Sequence, residues 1–188
     1  MGHYTLNIAP LCSKVYAFEC SPKSFNYLCA NIAIQDQHYK VDKFNIALSI
    51  KEGKTKYFIR DKLDGGSNGI AKFNQDEINN TPFIEVPTKQ LDTYQLENIG
   101  FIKIDVEGHE KEVLEGAIET LKKNNYPTFK YKRWIPKDGE ENMIPKQQLR
   151  NELFQFIESL GYIIHPLRGW AEEYLATHPN FNSIIYYK

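Results

Sequence analysis

The run Phe101-Ile102-Lys103-Ile104-Asp105-Val106, followed by Gly108 and then a helical stripe, constrains this chain more than any other segment. A short run rich in β-branched apolar residues reads as a strand, here one buried on both faces, and Gly108 lets the backbone turn sharply out of it. From Glu110 to Lys123 the apolar residues Val113, Leu114, Ala117, Ile118 and Leu121 recur on one helical face, and Asn124-Asn125 with Pro127 ends the element. Strand, tight turn and packed helix in this order form the building unit of a parallel α/β sheet.

Other segments extend the same pattern. Lys14 to Glu19 reads as a strand, and Ser21-Pro22 supplies a capping hydroxyl and a first-turn proline for a helix burying Phe25, Leu28, Cys29 and Ile32. Further strands are expected at Phe44–Ser49, at Thr55–Ile59 as half of a hairpin, and at Phe83–Val86, with a short connecting helix at Leu91–Tyr94. Thr128–Trp134 reads as a strand, Gln147–Leu160 as an amphipathic helix, and Tyr162–His165 and Ser183–Tyr187 as two last strands. Between Asp61 and Asn80 no periodicity survives, so 61–80 is expected to be a loop or lid inserted in a single domain spanning 1–188.

Composition narrows the function classes. Lys+Arg 23 against Asp+Glu 24 leaves no global field that favours nucleic acid or an anionic membrane. No apolar run has the length of a membrane span and no signal-peptide pattern opens the chain, so a cytoplasmic protein is expected. Cys12, Cys20 and Cys29 form no C-x-x-C pair, and the five histidines show no metal-ligand spacing, so neither a disulfide framework nor a metal site is expected.

In an open parallel sheet, ligands sit beyond the carboxyl ends of the strands. Two expected strands end there in acids. Glu19 has the paired acceptor oxygens that suit both hydroxyls of a ribose. Asp105 and Glu107 flank Val106 just before the Gly108 turn, and Lys103, two residues before Asp105, shares its face of the strand.

At these residues the chain resembles a known family. Val15-Tyr16-Ala17-Phe18-Glu19 with Pro22, Leu28 and Asn31, then Asn45-Ile46-Ala47-Leu48-Ser49, Gly65-Gly66-Ser67, Leu91-Asp92, and above all Ile102 to Glu110 with Val113, Leu114, Gly116 and Ala117, look in order like the FkbM-type methyltransferases. The resemblance implies a Rossmann-like, mainly parallel sheet flanked by helices, with S-adenosylmethionine as cofactor and methyl transfer, usually to a hydroxyl oxygen. It implies that Gly2 closes the first cofactor loop, Glu19 holds the cofactor ribose, Asn45, Ile46 and Ala47 lie near the adenine, and Asp105 with Glu107 faces the methyl group and acceptor. Asp105, Glu107 and His109 are then the candidate bases. The family's opening D-x-G-A-x-x-G pattern is represented only by its end, so the first central strand is expected to be missing and the recorded start to lie inside a longer protein.

Lys132 stands where the family pattern carries an acid. Lys130 and Lys132 share one face of their strand, which places that face at an edge or cleft; an acceptor site altered to prefer an anionic substrate is one reading, and a solvated basic stretch is the one preferred. The function expected is O-methylation of a small molecule or glycan. The rival is a non-catalytic remnant of the fold acting as an interaction domain. A nucleic-acid methyltransferase is disfavoured by the balanced charge and by the lack of an N-P-P-Y-like motif.

Overall fold

The computed structural model describes residues 1–60, 68–70, 79–132, 144–167 and 173–181. The expected strand 183–187, Trp134 and most of the 61–80 segment, Gly65-Gly66-Ser67 included, lie outside the described residues.

A first layer is built from the amino-terminal elements. α1 (His3–Ile8) and a 3-10 turn (Ala9–Leu11) precede β1 (Val15–Phe18). In α2 (Pro22–Ile34) the Ser21 hydroxyl accepts the Ser24 N–H at 3.3 Å and Pro22 occupies the first turn, the start expected from sequence. Ala9, Ala17, Leu28, Ile32 and Val41 close a core between α1, α2 and one face of β1 and β2 (Val41–Phe44).

The strand expected at 44–49 is divided between two sheets. β2 pairs in parallel with β1, whereas β3 (Ala47–Leu48) pairs in parallel with β5 (Phe83–Lys89). Asn45 sits at the break: its side-chain amide donates to the carbonyls of Glu19 and Cys20 at 2.8 and 3.3 Å, pinning the corner. β4 (Gly53–Phe58) pairs antiparallel with β5, and Phe58 also bridges to Gly69.

The third sheet has the order β6-β7-β9-β8, from β6 (Phe101–Ile104), β7 (Thr128–Lys132), β9 (Glu173–Thr177) and β8 (Ile163–Pro166). β6 and β7 are parallel; β9 is antiparallel to both neighbours. The sheets are therefore mixed rather than mainly parallel. β9, which periodicity did not pick out, makes the difference by running back between β7 and β8.

Register partners share a face, so Ile102, Ile104, Phe129, Tyr131 and Ala176 lie together on one side of this sheet, and Phe101, Lys103, Lys130 and Lys132 on the other. The apolar side packs on α3 (Glu110–Glu115), α4 (Ile118–Lys123) and α5 (Ile144–Ser159), with Leu114, Leu121 and Ile157 fully buried. Each such side chain contributes about 1.5–3 kcal/mol relative to exposure. β6 is thus buried on one face only, and Phe101 remains 45% exposed. The opposite face carries ionised amines, which need water or counter-charges.

The helix expected from 110 to 123 is interrupted at Gly116-Ala117. A Cβ on Gly116 would stand 2.1 Å from the Ser49 carbonyl oxygen, so the helix can cross the end of β3 only at a glycine. The new amino terminus is capped from outside the helix: Asp92 accepts the Glu119 and Thr120 N–H groups at 3.1 and 2.7 Å.

β1 and β6 belong to different sheets, and among the described residues each has a strand partner on one side only. Rings span the interval instead. Phe18 stacks on Phe44 at 4.9 Å, and Tyr94, from the 3-10 turn Leu91–Tyr94, meets both rings edge-on. Phe18 and Tyr94 also pack on the main core. No helix of the described residues is long and apolar enough to cross a membrane.

Candidate functional site

Two groups of candidate residues form at strand ends. At the carboxyl end of β1, Glu19 N–H donates to the Phe44 carbonyl, and the Glu19 carboxylate accepts the Ser21 N–H at 2.8 Å. The acid is thereby fixed to the turn that opens α2. Asn45 staples the same turn, Ile46 follows it half-buried, and Ala47 is a core residue at 5% exposure. Beside Glu19, burial and then the carboxylate charge push the Cys20 thiol up to about 12, so it stays protonated.

Gly2 caps α1 in the left-handed region at φ 82, and a Cβ there would meet Leu28 Cδ1 at 2.6 Å. Asn31 of α2 donates to the Met1 carbonyl at 2.9 Å. The start of α1 is thus seated on α2, and a glycine is needed there for conformation and packing together.

The second group surrounds the turn after β6. Lys103 reaches along its own strand face to Asp105 at 3.1 Å. Glu107 adopts φ 51 and Gly108 φ 97, the only consecutive left-handed pair in this turn. A conformation that costs a non-glycine residue about 1 kcal/mol or more must be held by its surroundings. Among the described residues, two contacts hold Glu107. Lys132 from the end of β7 pairs with its carboxylate at 3.2 Å, and Gly69 lies against it, so that a Cβ on Gly69 would stand 3.3 Å from Glu107 Cβ.

Glu110, buried at 5% exposure, folds back into the same turn, where one carboxylate oxygen accepts the Val106 and Gly108 N–H groups at 3.4 and 3.2 Å. Burial pushes its carboxyl up to about 7 against the opposing hydrogen bonds, with the Glu107 charge adding a little. His109 points elsewhere. Its Nε2 lies 3.1 Å from the Ser49 hydroxyl and its Nδ1 3.5 Å from Glu112, and burial lowers its pKa, with the Glu112 charge opposing.

The sequence-derived candidates are therefore arranged unequally. Asp105 and Glu107 come together at one strand end, each tied to a lysine. His109 is engaged with β3 and α3, and Glu19 with its neighbours stands at the end of a different sheet. Lys132 is part-exposed as expected but is also ion-paired, with a partner that arrives from a turn 25 residues away. β7 is interior to its sheet, not an edge. Tyr4 of α1 was not anticipated: its ring lies over Lys103 and Lys130, and Lys130 donates to its hydroxyl at 3.1 Å. No sequence signal marks it, since nothing local relates residue 4 to residue 130. Among the described residues no group of three or more His, Cys, Asp or Glu side chains is placed to hold a metal ion. A surface concavity lined by Glu97, Gly100, Lys123 and Asn125 lies at the amino end of β6, away from all these groups.

Residues 3–164 match the profile of a family described as Methyltransferase FkbM domain. The chain belongs to this family. The FkbM domain also superposes on the crystal structure of Methyltransferase FkbM from Methylobacillus flagellatus KT, with a TM-score of 0.51 and 13% identity. The alignment covers 88% of this chain and 36% of that one, so the FkbM domain described here spans about a third of that relative's length. At this identity the likeness speaks for the fold. No curated protein matches in sequence. Within the FkbM domain, the turn from Asp105 to Glu110 is where strand end, left-handed backbone and paired charges coincide.

Proposed function

We propose that this FkbM domain is an S-adenosylmethionine-dependent methyltransferase acting on a hydroxyl oxygen of a small molecule or glycan. The observation that carries the reading is the held turn after β6, where Asp105 is the more exposed member of its ion pair, at 38% against 11% for Lys103. A carboxylate fixed at a strand end and open to solvent is suited to orient an acceptor hydroxyl.

The residues present fit the cofactor in kind. Glu19, anchored by the Ser21 N–H, offers carboxylate acceptors suited to ribose hydroxyls. Asn45 and Ile46 at the β2–β3 corner and the backbone of Ala47 would border the adenine, and Gly2 would close the first cofactor loop. When bound, the cofactor supplies an electrophilic methyl group on a sulfonium. Asp105 would align the acceptor hydroxyl and take its proton as the oxygen bonds to the methyl carbon and the carbon–sulfur bond breaks, with a neutral thioether as leaving group. All three candidate bases have partners, but Asp105 is the most exposed of them, at 38% against 18% for Glu107 and 12% for His109, so Asp105 ranks first.

Balanced formal charge supports a small-molecule or glycan acceptor over nucleic acid or a membrane surface. The rival reading, an interaction domain without catalysis, draws support from β1 and β6, whose outer edges carry no strand among the described residues. Calorimetric titration with S-adenosylmethionine separates the two. The methyltransferase reading expects saturable binding that Glu19→Ala abolishes; a folded wild-type chain that takes up no cofactor favours the interaction domain.

A further inference from the structure

The two ion pairs at the ends of β6 and β7 face opposite ways. In Lys103–Asp105 the carboxylate is the outer member, 38% exposed against 11% for the amine. In Lys132–Glu107 the amine is the outer member, 32% exposed against 18% for the acid. Lys130, one turn of the pleat deeper, is taken into the sheet by Glu173 at 2.6 Å and is 19% exposed. The face therefore presents an outward carboxylate, Asp105, and an outward ammonium, Lys132.

These two groups are neighbours by register. Each directly follows the paired residues Ile104 and Tyr131, on parallel strands about 4.8 Å apart. The lysine is also held in place: Glu107 has a left-handed backbone and is closed in by Gly69, so the carboxylate that anchors Lys132 has little freedom to swing away. Among the described residues Lys132 is the amine paired with Glu107, and it offsets the repulsion that this acid and Asp105 would exert on an anion. The pair is neutral and its exposed end is positive.

We infer that Lys132 is a specificity-determining residue that receives an anionic group of the methyl acceptor while Asp105 receives its hydroxyl. The acceptor class is then a hydroxy compound with a carboxylate or phosphate close to the hydroxyl, such as a hydroxy acid, a sugar acid or a sugar phosphate. This inference rests on the methyltransferase reading for the word acceptor, but the binding it describes is measurable without turnover.

The test uses three probes with the same hydroxyl scaffold: glycerate, glycerol 3-phosphate and glycerol, each titrated into the 15N-labelled chain and followed at the Gly108 and Lys132 amides. Glycerate or glycerol 3-phosphate should shift both amides saturably, glycerol should not, and the anion that binds identifies the group. Lys132→Gln should weaken that binding by about tenfold or more, and Lys132→Arg should keep it, as expected for a charge contact. Raising the salt concentration on the unsubstituted chain should weaken it as well. Binding of glycerol equal to that of the anions, an unchanged Kd in folded Lys132→Gln, or no response to salt overturns the inference. S-adenosylmethionine is titrated into the same samples. Cofactor binding without anion preference refutes this inference alone, and anion preference without cofactor binding refutes the methyltransferase reading alone.

Discussion

Replacing Glu110 by glutamine tests how the β6–α3 turn is held together. The carboxyl is buried, is pushed from its ordinary 4.5 to about 7, and accepts the Val106 and Gly108 N–H groups. Its folded pKa lies above its unfolded one, so the folded state binds the proton more tightly. The stability this contributes is fully present below about 4.5 and is lost as pH rises through about 7. With these two pKa values, proton linkage from Glu110 alone should lower the stability of the fold by about 2–3 kcal/mol between pH 5 and pH 8. Glu110→Gln keeps an oxygen to accept the two N–H groups and removes the titration. Lowered His109 titrates in the opposite sense, losing stability as pH falls, but it is common to both proteins and cancels in the comparison. Urea denaturation at pH 5, 6, 7 and 8 at fixed salt should show a wild-type stability that falls relative to the variant by about this amount, with the variant the more stable protein at pH 8. Parallel pH dependences for the two proteins would refute the assignment of a protonated, buried Glu110.

Two substitutions test the packing that shapes the site. Gly116→Ala places a methyl group 2.1 Å from the Ser49 carbonyl oxygen, with no flexible side chain to yield. It should destabilise the fold by about 2 kcal/mol or more, read as a lower urea midpoint, and a neutral result would mean that α3 does not cross β3 as described. Tyr131 is fully buried, and its hydroxyl has no hydrogen-bond partner among the described residues. Burial raises its pKa strongly, so the phenol stays neutral. Tyr131→Phe removes a desolvated polar group and keeps the ring against Phe129, Phe154 and Tyr174, and it should leave the melting temperature unchanged or raise it. A clear fall would show that the hydroxyl has a partner.

Local chemistry explains what was legible in the sequence. The strand–turn–helix around Asp105, the Ser21-Pro22 helix start and the acids at two strand ends are all determined within a few residues, by hydrophobic period, capping and the freedom of glycine. These sufficed for the α/β class and for the candidate carboxylates. Elements set by distant partners were not legible. The strand at 44–49 splits because Asn45 donates to Glu19 and Cys20. The helix at 110–123 breaks because Gly116 meets Ser49 and Asp92 caps the restart.

By itself, then, the sequence of this FkbM domain determined which residues could carry charge at the ends of its strands, because side-chain spacing in a strand is fixed at two. Only the tertiary structure decided how those charges are paired. Lys103 and Asp105 meet along one strand, as spacing allows, but Lys132 meets Glu107 across 25 residues. That pairing depends on β7 lying beside β6 and on a left-handed turn that aims Glu107 at it. Charge neutralisation is a property of distance in space, and no periodicity along the chain encodes it.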